Sequence, residues 1–202
     1  MIKGIIFDLD GVLIDSEQIH FQAYREMLKF YDVDLSREQF DTHIKSRGKT
    51  VGLKSLLGSH EFLIEMGILK DKIFIDILND LPDIFYKDAL ELLKLLKDRN
   101  LKLAVATASG KGKELIDIYG KKDIFDTIAT PEVVVNNKPA PDIYEYCLNQ
   151  LGLKCDEVIV IEDSQVGIQS ASNANLKVLG IRCGDIPGVT VMDDLRDVLD
   201  YI

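Results

Sequence analysis

Residues 2–12 read Ile-Lys-Gly-Ile-Ile-Phe-Asp-Leu-Asp-Gly-Val: an apolar run over Ile2–Phe7, then two carboxylates, Asp8 and Asp10, with Gly11 behind them. A short apolar run of this kind predicts a buried strand. Two acids two residues apart at its carboxyl end, beside a glycine, can face one cleft through a turn. One can attack while the other moves protons, and a divalent cation can screen both. The spacing alone is a weak signal. Asp32-Val33-Asp34 repeats it in what reads as a solvated loop between helices. The strand before Asp8 and the glycine after Asp10 set the first pair apart.

The same texture returns far downstream. Short β-rich runs at Leu101–Thr107, Ile124–Thr130, Val158–Glu162 and Lys177–Ile181 alternate with helical patterns at Asp83–Arg99, Gly112–Tyr119, Pro141–Leu151 and Ser164–Asn173. Such alternation predicts a parallel α/β sheet with right-handed crossovers. Between Ser16 and about Leu81 no strand signal appears. That stretch reads as helices at Glu17–Tyr31, Arg37–Thr42, Lys49–Leu57, Glu61–Met66 and Lys70–Leu81, with Ile19, Tyr24, Met27 and Leu28 near one face of the first. The expected architecture is therefore a doubly wound, Rossmann-like parallel-sheet core over residues 1–15 and 82–202, with an α-helical domain inserted over 16–81. The insert is rooted just past the first strand, and open α/β sheets bind ligands outside the carboxyl ends of their strands. An insert there can act as a lid.

The chain has 202 residues, enough for one core plus an insert. Its formal net charge of −10 argues against nucleic-acid or anionic-membrane partners. An acidic chain that handles phosphates needs a local device to reverse the field. No apolar run is long enough for a membrane span, and the first residues lack the apolar stretch of a secretory signal. Cys147, Cys155 and Cys183 match neither a metal knuckle nor a disulfide framework, so reduced thiols in a cytoplasmic protein are expected, or simply three small apolar residues.

Three further elements sit at predicted strand ends. Val158-Ile159-Val160-Ile161 runs into Glu162-Asp163-Ser164. Asp163 or Ser164 alone could be a helix cap, but capping does not explain why an acidic pair ends two strands of one sheet. If those strands are adjacent, up to four carboxylates meet at one rim, where all-oxygen ligands suit Mg²⁺. Leu101–Ala106 runs into Thr107-Ala108-Ser109-Gly110, where a hydroxyl and backbone N–H groups make an anion cradle. For Thr107 taken alone, an ordinary cap is the stronger reading. Lys138 lies in Asn137-Lys138-Pro139-Ala140-Pro141-Asp142, where prolines fix its backbone. A lone lysine is usually solvated, but one held at the rim can bridge a phosphate and a nucleophilic carboxylate.

In this order, FDLDGVLIDSE, VATAS, NKPAPD and VIEDS with GIQSA make the chain resemble the haloacid dehalogenase-like hydrolases. It is similar in style to their β-phosphoglucomutase and sugar-phosphate phosphatase group, which has a helical cap just after the first motif. The resemblance implies Asp8 as nucleophile, forming an aspartyl-phosphate, and Asp10 as general acid and then base. It implies Thr107, with the Ala108 backbone, and Lys138 around the phosphoryl group. Mg²⁺ would be held by Asp8, the Asp10 carbonyl and Asp163, with Glu162 close by or coordinating. In the insert it points to His20 and Lys72 as substrate contacts; Arg47-Gly48-Lys49-Thr50 reads by itself as a basic pocket before a helix that suits substrate anions or sugar hydroxyls, and Ser109 is a further substrate candidate in the core. A helix-surface histidine, an exposed loop and a solvated lysine account as well or better for His20, for Arg47 with Lys49, and for Lys72. The sequence departs from the group's pattern at Ile84–Ala89, without a Pro-Gly turn, and at Val134–Asn137, without a glycine.

The expected function is an Mg²⁺-dependent phosphohydrolase of small phosphorylated metabolites, sugar or polyol phosphates, acting as a monomer or weak homodimer. The alternative is a hexose-phosphate mutase, which differs only in whether water or a sugar hydroxyl accepts the phosphoryl group. A dehalogenase needs no metal and fits the acidic pairs poorly. A non-catalytic module on the same fold would be expected to lack Asp8, Asp10, Lys138 or Asp163, and all are present.

Overall fold

A computed structural model describes residues 1–45, 49–58 and 61–202. The chain divides into two compact units, Met1–Asp15 with Ile84–Ile202, and Ser16–Asp83.

In the first unit, β1 (Gly4–Phe7), β2 (Lys102–Ala106), β3 (Thr127–Ala129), β4 (Val158–Glu162), β5 (Lys177–Ile181) and β6 (Thr190–Met192) form one parallel sheet in the order β3-β2-β1-β4-β5-β6. The chain builds outward from β1 to β3, then crosses back to start again at β4 on the other side of β1. The order therefore reverses beside β1, the place where open parallel sheets form a crevice at their carboxyl ends. Register fixes what meets there. Phe7 pairs with Val105 on one side and Ile161 on the other, so Asp8 stands level with Ala106 and Glu162.

β1 and β4 are buried along their whole length, as strands covered on both faces must be. One face packs Ile6, Ala104, Val158 and Val160 against Ile143, Tyr144, Cys147 and Ala171 of the following helices. Those residues lie on the helices Asp142–Leu151 and Gln165–Asn173; the other two helices after the insert are Lys87–Asp98 and Gly112–Ile118. The Lys87–Asp98 helix buries Ala89, Leu92, Leu93 and Leu96, a spacing that makes one apolar stripe.

The helical unit contains Glu17–Lys29, Arg37–Gln39, a π-type turn at Phe40–Ile44, Lys49–Leu57 and Leu63–Asn79. Its core is Tyr24, Met27, Leu28, Leu35, Phe40, Ile44, Leu53 and Met66. The expected apolar face of the first helix is indeed its buried face.

Several boundaries differ from the sequence reading, each for a local reason. Two expected helices, Glu61–Met66 and Lys70–Leu81, are one helix, Leu63–Asn79. Glycine at position 67 costs about 1 kcal/mol relative to alanine in a helix, which packing of Met66, Phe74 and Leu78 outweighs. The helix expected from Asp83 starts at Lys87. The residues before it pair with the chain leaving the core instead: the Asp15 N–H donates to Ile84 O and the Tyr86 N–H to Leu13 O. The strand expected over Ile124–Thr130 shrinks to Thr127–Ala129, because Lys122–Ile124 forms a 3₁₀ turn. The edge strand β6 had no clear apolar run to announce it. No helix among the described residues is long and apolar enough to cross a membrane.

Candidate active site

Asp8 follows β1 directly, and its N–H donates to Ile161 O at 2.9 Å, which extends the ladder by one residue and points the side chain at the rim. Lys138 reaches it from the loop before the Asp142–Leu151 helix. Its Nζ donates to Asp8 Oδ1 at 2.6 Å, to Glu162 Oε1 at 2.6 Å and to Ala106 O at 2.9 Å. One ammonium thus ties together the ends of β1, β2 and β4. The loop is pinned on both sides. Asn136 donates to Asp142 Oδ2 from its N–H and its side chain, Ser170 Oγ donates to Ala140 O, and Asn173 Nδ2 donates to Pro139 O.

Glu162 is closed to water, and each of its oxygens is occupied. Oε1 accepts from Lys138 and from Tyr144 Oη at 2.7 Å. Oε2 accepts from the N–H groups of Asp163 and Ser164 and from Ser164 Oγ. Ser164 also caps the next helix by accepting from the Gly167 N–H at 3.1 Å. A Cβ at position 167 would lie 1.7 Å from Glu162 Oε1, so glycine there makes room for the carboxylate. Gly11, at φ +81°, does the same for Asp163: a Cβ would meet its Oδ2 at 2.0 Å.

Asp10 is half-buried and its Oδ2 lies 3.4 Å from Thr107 Oγ1, within reach of a long hydrogen bond. Thr107 is fully buried at the end of β2, and its Oγ1 accepts from the Ser109 N–H at 2.9 Å. Ala108 is exposed and Ser109 half-buried on the same turn. Asp8, Asp10, Thr107, Lys138, Glu162 and Asp163, remote in the chain, therefore converge at one rim.

The electrostatics follow from that crowding. Burial raises Asp8 well above the ordinary carboxylate range; Lys138 opposes this, while Glu162, Asp163 and Asp10 add to it. Burial and the charges of Glu162 and Asp10 push Asp163 up to about 7. Burial disfavours the charge on Lys138, but Asp8 and Glu162 outweigh it and hold the ammonium well above its usual value. One cation faces four carboxylates. Carboxylate oxygens of Asp8, Glu162 and Asp163 lie within 4.8 Å of one another. Hard oxygen donors with an excess of negative charge fit a divalent cation of the Mg²⁺ type. Glu162, its oxygens committed to five donors, is the least available of the three.

The insert candidates lie in the other unit. His20 stacks on Phe74 at 4.3 Å between ring centroids, and its Nδ1 is 3.0 Å from Lys70 Nζ. Lys49 pairs with Asp71, Lys72 is exposed, and Arg47 lies outside the described residues. The lysine beside His20 is Lys70, which the sequence reading passed over. Its position four residues before Phe74 and four after Met66, both buried, was the available signal. Tyr144 was also missed, because an aromatic residue in the first turn of a sheet-packed helix reads as core. Cys147, on the same helix, is a free thiol that burial pushes up to about 12, which makes it inert.

A sequence profile described as "Haloacid dehalogenase-like hydrolase" matches residues 5–181. A phosphorylated carbohydrates phosphatase of Thermotoga maritima is 29% identical, covering 87% of this chain and 82% of that protein. Protein CbbY of Rhodobacter capsulatus is 31% identical, covering 88% and 84%. The crystal structure of β-phosphoglucomutase from Clostridium difficile superposes with a TM-score of 0.85 at 25% identity, covering 100% of this chain and 95% of that one.

Proposed function

The chain belongs to the haloacid dehalogenase-like hydrolases, and on that premise we propose that it is an Mg²⁺-dependent phosphatase of a small sugar or polyol phosphate, working through an aspartyl-phosphate on Asp8. The observation that carries this reading is the Lys138 ammonium, 2.6 Å from both Asp8 Oδ1 and Glu162 Oε1. Its charge opposes the protonation that burial and the neighbouring acids favour on Asp8.

In the first half-reaction an Asp8 oxygen attacks phosphorus, the bond to the ester oxygen breaks, and Asp10 gives that oxygen its proton. In the second, Asp10 takes a proton from water, whose oxygen attacks phosphorus. Inorganic phosphate leaves and the Asp8 carboxylate is restored. Phosphoryl transfer asks for in-line placement and neutralised oxygen charge more than for covalent work by the protein. Lys138, Thr107 and the Ala108 N–H supply donors for the phosphoryl oxygens. Asp8 and Asp163, with the Asp10 backbone carbonyl, would hold the cation, which supplies charge neutralisation when bound. Glu162 orients Lys138 beside it. The helical unit is assigned the choice of substrate.

The relatives named above support a phosphorylated carbohydrate as substrate class. The β-phosphoglucomutase likeness keeps one alternative, in which a sugar hydroxyl replaces water as acceptor. The test is a panel of sugar phosphates, polyol phosphates and nucleotides assayed for phosphate release with Mg²⁺, with and without EDTA. β-Glucose 1-phosphate with a bisphosphate primer is assayed in parallel for isomer formation. We expect release on sugar or polyol phosphates, silenced by EDTA and abolished in Asp8→Asn. Turnover that survives Asp8→Asn would refute the nucleophile, and isomer without free phosphate would establish the mutase.

A further inference from the structure

We propose that Arg182 is a positioning residue that braces the turn carrying Asp10 and, through it, the acid–base step; the inference rests on the phosphatase reading above. Arg182 follows β5 directly, two strands away from β1 in the sheet order. Its Nη1 donates to Val12 O at 2.9 Å and approaches Gly11 O at 3.4 Å, the two carbonyls that follow Asp10. Its Nη2 donates to Asp88 Oδ2, and its guanidinium carbon stands 4.0 Å from the centroid of the Tyr86 ring. The rigid fork of an arginine can serve all these partners at once, which an ammonium cannot. The backbone of Arg182 is itself in the left-handed region, at φ +51°. A residue with a Cβ is strained there, so the side chain's contacts help to hold a turn that would otherwise relax.

The turn so braced has little slack. The Gly11 N–H donates to Ile14 O, and the Leu13 and Ile14 N–H groups both donate to Leu9 O. Gly11 packs against the Asp163 carboxylate closely enough to exclude any side chain. Moving the Gly11–Val12 carbonyls therefore moves Asp10 on one side and disturbs Asp163 on the other. Arg182 also joins this turn to the returning chain, since Tyr86 and Asp88 follow Ile84, which accepts from the Asp15 N–H. The residue reaches neither Asp8 nor the phosphoryl donors, so its influence runs through the turn.

The experiment compares wild type, Arg182→Met, Arg182→Lys, Asp10→Asn, the double variant with Arg182→Met and Asp10→Asn, and Asp8→Asn. Each full chain is tested with para-nitrophenyl phosphate and Mg²⁺. Far-UV circular dichroism first establishes folding. Amide exchange then reads the brace directly: peptides spanning 9–15 and 84–88 exchange faster in Arg182→Met. We expect kcat to fall roughly tenfold, as for a slight misplacement of a reacting group, with KM within about twofold and partial recovery in Arg182→Lys. In the Asp10→Asn background, Arg182→Met changes single-turnover rates by less than about twofold. An equal loss in both backgrounds, or unchanged exchange in those two peptides, overturns the proposal. Wild-type turnover no faster than Asp8→Asn overturns the phosphatase reading itself, a result the Asp8 control gives without any Arg182 variant.

Discussion

Lys138 in the sheet unit and Lys70 in the helical unit have side chains almost closed to water, 6% and 4% exposed. Their surroundings are opposites. Lys138 faces two carboxylate oxygens at 2.6 Å and a carbonyl. Lys70 sits 4.4 Å from the centroid of Phe74 and 5.3 Å from that of Tyr24, beside the His20 ring, with Asp71 at 3.6 Å. Strand register delivers charged residues from separate strands to one line, so a cation placed there meets several acids. A helix face delivers neighbours at spacings of three and four, so a lysine on an apolar face meets rings. The first arrangement makes a charge-balanced device that one deletion ruins. The second makes a lysine that its neighbours tolerate.

Replacing Lys138 with methionine attacks the first arrangement where it is strongest. Asp8 and Glu162 would stay buried without their shared cation, and breaking such a pair costs about 3–5 kcal/mol. Urea unfolding should register that loss, and phosphate release should vanish. A Lys138→Met protein as stable as wild type would show that the carboxylates find water or protons cheaply, and the contrast with Lys70 would collapse.

That contrast also explains what was legible in the sequence. Asp8, Glu162 and Asp163 could be placed because each ends an unmistakable apolar run, and strand ends in a parallel sheet share one rim. Thr107 and Lys138, which taken alone read as a cap and a solvated lysine, gained their places from the order of the motifs. Glu162's part was less plain: an acid at a strand end reads as a cation ligand until its five donors are seen. Tyr144 and Arg182 were invisible for a different reason. Their polar atoms act through contacts between elements far apart in the chain, and nothing local distinguishes them from a core aromatic and a surface cation. In the helical unit the amphipathic stripe of the first helix was readable, but the partner of His20 was not. Lys70 and Lys72 differ only in which side of a helix they occupy, and the reading had broken that helix in two.

The excess of carboxylates sharpens the comparison through pH. Asp163 titrates near 7 in the folded chain, against an ordinary 3.8. Between those values the folded state binds more protons than the unfolded one, so this group's contribution is present at low pH and is lost as pH rises toward 7. A divalent cation that keeps Asp163 ionised cancels that loss and releases a proton on binding. The rise in melting temperature produced by saturating Mg²⁺ should therefore be larger at pH 8 than at pH 5. Calorimetry in buffers of different ionisation enthalpy should detect proton release near pH 6. Equal stabilisation at both pH values would separate the cation from these carboxylates.

Tyr144→Phe removes one donor from Glu162 Oε1 and leaves Lys138 in place. A hydrogen bond to a charged acceptor contributes about 1.5–3 kcal/mol, and the lower end is expected because the ring stays packed. Turnover should fall less than in Lys138→Met, through a Lys138 that is less firmly oriented. A drop in stability with kcat unchanged would assign Tyr144 to the core alone.

The smallest effect is expected at Lys70. Methionine has a similar length and makes favourable sulfur–aromatic contacts with rings such as Phe74 and Tyr24. It forgoes a cation–π attraction of about 2 kcal/mol at a desolvated site, but it also avoids the desolvation cost of burying an ammonium. The two terms nearly offset, so Lys70→Met should change unfolding free energy by less than about 1 kcal/mol. If it costs as much as Lys138→Met, the Asp71 contact at 3.6 Å carries far more than its length suggests. Lys70 would then be an ion-paired residue of the same kind as Lys138, and the distinction drawn between strand-end and helix-face lysines would fail in this chain.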